Sequence, residues 1–175
     1  MSFTFIKALG GKIGSSIHED SMTEKALSIL ELAEQKNTKI HLPVDVVCAK
    51  EFKEGAESKI FAIDSISDEY EGLDSGPKSL EKFKKIIMSS KTILWNGPVG
   101  VFELESFSKG TQEIGTAIAE STKSGAFSLV GGGDSVAAVK KFKLENEVSY
   151  VSTGGGAMLE SLEGKILPGI GALKK

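Results

Sequence analysis

Three short stretches concentrate the residues that could do chemistry. They are Trp95-Asn96-Gly97-Pro98-Val99-Gly100-Val101-Phe102-Glu103, Val130-Gly131-Gly132-Gly133-Asp134-Ser135 and Ser152-Thr153-Gly154-Gly155-Gly156-Ala157. Each follows an apolar run that reads as a strand, and the second and third lead directly into helical patterns. A glycine turn that opens a helix presents unpaired N–H groups and the positive end of the helix dipole, which together cradle phosphate oxygens. One such turn often serves packing alone. Two on consecutive strand–helix units point to neighbouring anion sites, one for a donor phosphate and one for a transferred group.

The side chains in these turns each allow two readings. Asp134 can be an ordinary helix N-cap. Beside bound phosphates, however, its carboxylate would repel them unless a cation such as Mg2+ lay between. In the first turn, Gly97 and Gly100 permit close backbone approach to a ligand, Pro98 stiffens the loop, and Glu103 could accept hydrogen bonds from sugar hydroxyls. The same residues also suit a tight turn with a solvated glutamate. The third turn has no carboxylate before Glu160 and could hold a phosphoryl group without metal. No Walker GxxxxGK[ST] run, dinucleotide fingerprint in a βαβ context or protein-kinase signature occurs.

The elements that must position these turns follow from periodicity. A short helix is expected over Ser2–Leu9 and a longer one over Met22–Lys36, with Ser21 and Glu24 at capping-box spacing. Strands are expected at Lys39–Leu42, Val46–Ala49 and Lys59–Ile63. A turn-rich stretch, Asp68–Gly76, leads to Pro77, which suits the first turn of a helix. Strands Thr92–Trp95, Phe127–Val130 and Ser149–Ser152 then alternate with helices Phe107–Lys123, Ser135–Phe142 and Ala157–Leu162, and a tail begins at Leu167. Strand–turn–helix units in series imply an α/β fold with a doubly wound parallel sheet and helices on both faces. Ligands of such sheets bind at the carboxyl ends of the strands, so the three turns should share one edge.

Composition narrows the function. The 175 residues suit one domain, and the net charge of −3 argues against a general nucleic-acid binder. All 21 cationic side chains are lysines. An arginine fork for a phosphorylated acid would therefore have to come from elsewhere. Cys48, in an apolar run, reads as a buried structural thiol. His18 and His41 lack partners at metal-ligand spacing, Trp95 reads as packing, and the lysine runs at 82–85 and 140–143 read as solvated helix faces. No signal peptide or membrane span is visible, so a cytoplasmic protein is expected.

Seven stretches carry a family resemblance. They are Leu42-Pro43-Val44-Asp45-Val46-Val47, Gly72-Leu73-Asp74-Ser75-Gly76-Pro77, Trp95 to Glu103, Phe107-Ser108-Lys109-Gly110-Thr111, Gly131 to Ser135, Thr153 to Ala157, and Leu162 to Gly169. In this order they resemble the carboxyl-terminal, nucleotide-binding domain of phosphoglycerate kinase, over residues 1–175. The opening Met1-Ser2-Phe3-Thr4-Phe5 fits the same pattern. The resemblance implies a glycolytic, ATP-binding phosphotransferase with a carboxyl group as acceptor. It would move the acyl phosphate of 1,3-bisphosphoglycerate to Mg-ADP, giving ATP and 3-phosphoglycerate, as a cytoplasmic monomer without nucleic-acid or membrane partners.

The same resemblance implies residue roles. Gly72 and Leu73 would line the adenine pocket. Asn96, Pro98, Gly100 and Val101 would flank the nucleotide, with Glu103 on the ribose. Gly132, Gly133, Asp134 and Ser135 would meet the phosphates, with Asp134 ligating Mg2+, and Gly154, Gly155 and Gly156 would cradle the transferred phosphate. Ser135 stands where threonine is common in the family. Counterparts of the first strand–helix units, of their two lysines and of the whole sugar-acid domain with its arginine are not found, so the fold is expected to be incomplete at its amino-terminal end. These residues alone are expected to be inactive. A non-catalytic α/β nucleotide- or phosphate-binding module, or a fragment without its own function, are the competing readings.

Overall fold

The computed structural model describes residues 1–173. Its elements run α1 (Ser2–Ala8), β1 (Lys12–Ile13), α2 (Thr23–Gln35), β2 (Asp45–Ala49), β3 (Ser58–Ala62), β4 (Ser65–Ile66), β5 (Glu71–Ser75), α3 (Pro77–Ser89), β6 (Thr92–Trp95), α4 (Lys109–Lys123), β7 (Phe127–Gly131), α5 (Gly133–Lys141), β8 (Tyr150–Ser152), α6 (Gly155–Leu162) and α7 (Pro168–Leu173). The architecture is α/β and Rossmann-like, with helices flanking parallel sheets and one antiparallel sheet besides. Contacts sort the chain into two units, Met1–Lys85 with Val99–Ile114, and Ile86–Pro98 with the residues from Gly115 onward. No linker marks them, because the crossings fall inside α3, inside the turn after β6 and inside α4.

The first unit holds an antiparallel sheet in the order β3-β2-β5 and a two-stranded parallel pair of β1 with β4. The apolar run of β2 is buried on both sides of its ladder. Ile6, Ile13, Val46, Cys48, Ile63, Ile66 and Tyr70 form one core cluster. Ala49, Leu73 and Phe107 form another, with Val101 and Leu104 packed against it. Between β2 and β5 the register shifts after Val47, from Asp74 to Gly72, so Leu73 has no partner across the ladder. Such bulges turn a strand locally and re-aim its side chains.

The second unit is the parallel sheet β6-β7-β8. Trp95 pairs with Val130, and Gly131 with Ser152, so the carboxyl ends of the three strands lie level. Trp95 packs as expected, buried against Gly115 and Leu144, where a Cβ on Gly115 would stand 2.7 Å from Leu144 Cδ1 and 3.1 Å from the indole.

Several expectations are corrected. Lys39–Leu42 is not a strand: none of the described strands pairs with it, and Pro43 removes a ladder donor. The turn-rich stretch contains β5. There, burial of Leu73, Asp74 and Ser75 against β2 overrides the low strand propensity of Gly72 and Asp74. The long helix starts at Thr23 with Met22 as N-cap, because a 3-10 turn at Asp20–Met22 displaces Ser21 from the capping position. Ala26 of this helix is buried, whereas Met22 and Ile29 are exposed. The tail is helical over Pro168–Leu173, proline again serving the first turn.

Candidate functional site

In the second unit the three glycine turns interlock, and Gly132 lies at their centre. The Asn96 side chain donates to the Gly131 carbonyl at 2.9 Å, so the first turn is fastened to the second. Gly97 donates its N–H to Ser135 Oγ at 2.5 Å, a second tie between the same turns. On the other side, a Cβ on Gly155 would stand 2.7 Å from the backbone N and Cα of Gly132. The third turn therefore touches the second backbone to backbone. A Cβ on Gly131 would collide with Met158 of α6 at 2.2 Å. Gly132 has φ +93°, which an L side chain rarely adopts.

Both helices start two residues earlier than expected, at Gly133 rather than Ser135 and at Gly155 rather than Ala157. Gly132 is the N-cap of α5 and Gly154 the N-cap of α6. Asp134 therefore sits one residue inside the helix start, in the first turn of α5, and makes no capping hydrogen bond. The capping role read as one alternative does not apply to it. Its carboxylate is exposed at the mouth of the cradle, beside exposed Gly133, while Ser135 is fully buried. Thr153, Gly154 and Gly156 are exposed as well.

The first unit positions the remaining candidates. A Cβ on Gly72 would stand 2.2 Å from the Phe3 ring, and the Gly72 N–H donates to buried Ser16 Oγ at 2.9 Å. Leu73 is buried, and its carbonyl accepts the Val101 N–H at 2.8 Å. Gly100 and Val99 donate to Thr111 Oγ1 at 3.3 Å each. Asp74 accepts the N–H groups of Ser75 at 2.8 Å and Gly110 at 2.7 Å. Burial pushes its carboxyl up to about 6. Pro98 is half-buried and Glu103 exposed. Sequence reasoning gave no role to Asp74 or Thr111, although both stand in the stretches that carry the resemblance.

The donor set can be tested against Mg2+. Among the described residues no group of three or more His, Cys, Asp or Glu side chains could hold a metal. Mg2+ is commonly bound through one or two carboxylates plus substrate phosphates. A single exposed carboxylate in the first turn of a helix, such as Asp134, fits that mode.

The fold defines a Rossmann-like α/β protein whose three parallel strands β6, β7 and β8 end level in glycine turns. Comparison with known proteins gives the family. The phosphoglycerate kinase family profile matches residues 1–165. The chain is 53% identical over 174 residues to the phosphoglycerate kinase of Porphyromonas gingivalis, and 54% identical over 174 residues to that of Thermosipho africanus. Each match covers 99% of this chain but 42% and 43% of the relative. The structure of phosphoglycerate kinase from Coxiella burnetii superposes with a TM-score of 0.93 at 46% identity, over 99% of this chain and 44% of that one. The crystal structure from Pyrococcus horikoshii gives 0.76 at 32% identity, over 99% and 43%. The chain belongs to the phosphoglycerate kinase family, and it spans a little under half the length of the relatives it matches.

Proposed function

We propose that these residues supply the nucleotide-binding part of a phosphoglycerate kinase, which transfers the acyl phosphate of 1,3-bisphosphoglycerate to Mg-ADP and yields ATP and 3-phosphoglycerate. The observation that carries this reading is the interlocked set of glycine turns, two of them opening α5 and α6, at the level ends of three parallel strands. The N–H groups of Gly133, Asp134 and Ser135 hold the phosphates of the nucleotide, and those of Gly155 and Gly156 take the transferred group. Asn96 and Pro98 flank the phosphates. Gly72, Leu73, Gly100 and Val101 contribute to the nucleoside side, and Glu103 accepts hydrogen bonds from the ribose.

Asp134 holds Mg2+, which when bound neutralises phosphate charge. Backbone dipoles fixed at a helix start stabilise negative charge without reorganising, which is what phosphoryl transfer demands of a protein. The reading carries a cytoplasmic, monomeric enzyme with it. Among the described residues no helix is long and apolar enough to cross a membrane.

Calorimetric titration with Mg-ADP tests the site. The expected result is measurable binding that weakens about tenfold or more in Asp134→Asn, on the order of 1.4 kcal/mol. Equal affinity in both proteins removes Asp134 from the metal role, and no binding by the unaltered protein removes the nucleotide reading. The sequence holds no arginine. An arginine that stabilises the transition state is worth about 10³–10⁵ in rate. These 175 residues by themselves are therefore expected to show no turnover in a coupled assay with 3-phosphoglycerate and Mg-ATP. Turnover at roughly 1–100 per second, usual for kinases, overturns that expectation.

A further inference from the structure

The Val99–Glu103 segment carries Gly100, Val101 and Glu103 of the proposed nucleotide set, yet it belongs to no helix or strand. Its shape is imposed by what touches it. Val101 donates to the Leu73 carbonyl, and Val99 and Gly100 donate to Thr111 Oγ1. The third constraint is steric. Gly100 lies so close to the Asp74 carboxylate that a Cβ there would stand 2.2 Å from Oδ1. The same carboxylate accepts the N–H of Gly110, in the first turn of α4 and next to Thr111. A Cβ on Gly110 would stand 2.1 Å from Asp74 Oδ1. One side chain therefore seats both the segment and the helix whose hydroxyl tethers it. The position is 5% exposed. Burying a carboxylate among backbone donors is costly, and a serine or threonine meets a helix start without that cost. A costly group retained in such a place points to a demand other than stability.

We infer that Asp74 is a positioning residue: its carboxylate holds Gly100 and the start of α4 in register, so that Val101 and Glu103 are presented to the nucleotide. The inference rests on the nucleotide reading above. Other charges near Asp74 come from α4, where Lys109 favours its ionised form and Glu113 opposes it. The β2 residues beside it, Val46 and Val47, and Gly100 of the segment are uncharged.

Asp74→Asn tests it in the purified protein, because the amide keeps the shape but turns an N–H₂ toward a backbone donor. The dissociation constant for Mg-ADP is expected to rise about tenfold. Without nucleotide, the amides of Val99, Gly100 and Val101 are expected to exchange hydrogen about tenfold faster than in the unaltered protein. As pH falls through about 6, where Asp74 protonates, the unaltered protein is expected to lose more affinity than the variant, beyond the loss that protonation of the terminal ADP phosphate causes in both. Unchanged exchange at those amides overturns the inference, whatever happens to affinity. If the unaltered protein binds no Mg-ADP, the nucleotide reading fails, and the exchange rates still decide whether Asp74 holds the segment. If the variant does not fold, exchange in the unaltered protein at pH 5 and pH 7, corrected for intrinsic rates, decides. Equal protection at both sinks the inference.

Discussion

At the scale of single residues, the sites are governed by what each small or polar group excludes. Ser135 is fully buried and its hydroxyl accepts the Gly97 N–H. Removing it in Ser135→Ala leaves that donor without its partner, at a cost of about 1–3 kcal/mol. The expected outcome is a lower urea midpoint with an unchanged slope. Cys48 behaves in the opposite way, as a group kept from reacting. It has no exposed surface, and burial pushes its thiol up to about 12. Since the thiolate is the nucleophile, a chromogenic disulfide reagent is expected to leave Cys48 untouched in native protein and to titrate one thiol in denaturant. Rapid reaction in native buffer would refute that assignment.

At the scale of elements, α3 shows how a distant side chain can start a helix. Pro77 supplies the first helical residue. Buried Asp45, at the head of β2, then accepts the N–H groups of Lys78 at 3.0 Å and Ser79 at 2.8 Å, and the Ser79 hydroxyl at 2.7 Å. The carboxylate caps α3 from another element, and Asp45→Ala is expected to cost about 1–3 kcal/mol in urea unfolding, with Asp45→Asn costing less. The start of α3 was legible from Pro77 alone, but its cap was not, because Asp45 lies more than 30 residues away. The same divide runs through the rest of the chain. β6 and β7 were legible because their apolar runs lead into glycine-bearing turns, and so were those turns. β5 was not, since glycine, aspartate and serine make a strand there only when β2 covers them. Lys39–Leu42 has the residues of a strand but lacks a partner. Asp74 escaped notice because its contacts come from Gly100 and Gly110, and no local pattern encodes them.

At the scale of the whole molecule, the buried Asp74 leaves a signature in how stability varies with pH. Its carboxyl ionises at about 3.8 in a chain without structure and is raised to about 6 when folded. Between these values the folded state holds more proton than the unfolded one, so stability from this group falls as pH rises through the window. Two units correspond to about 3 kcal/mol. Urea unfolding from pH 4 to 6.5 is expected to show this decline in the unaltered protein and not in Asp74→Asn, once the other carboxylates are subtracted by comparing the two. Parallel curves would mean that Asp74 is ionised in both states.

The contact of Gly155 with Gly132 has a consequence for the thermodynamics of capture. A cleft walled by main chain has no rotamers to freeze. An anion site lined by lysines would lose about 0.5–1.5 kcal/mol for each side chain immobilised at every encounter. Here that ordering is already complete when the chain folds, and under the proposed function three turns locked through one glycine leave an incoming phosphate little beyond its own freedom and its water to give up.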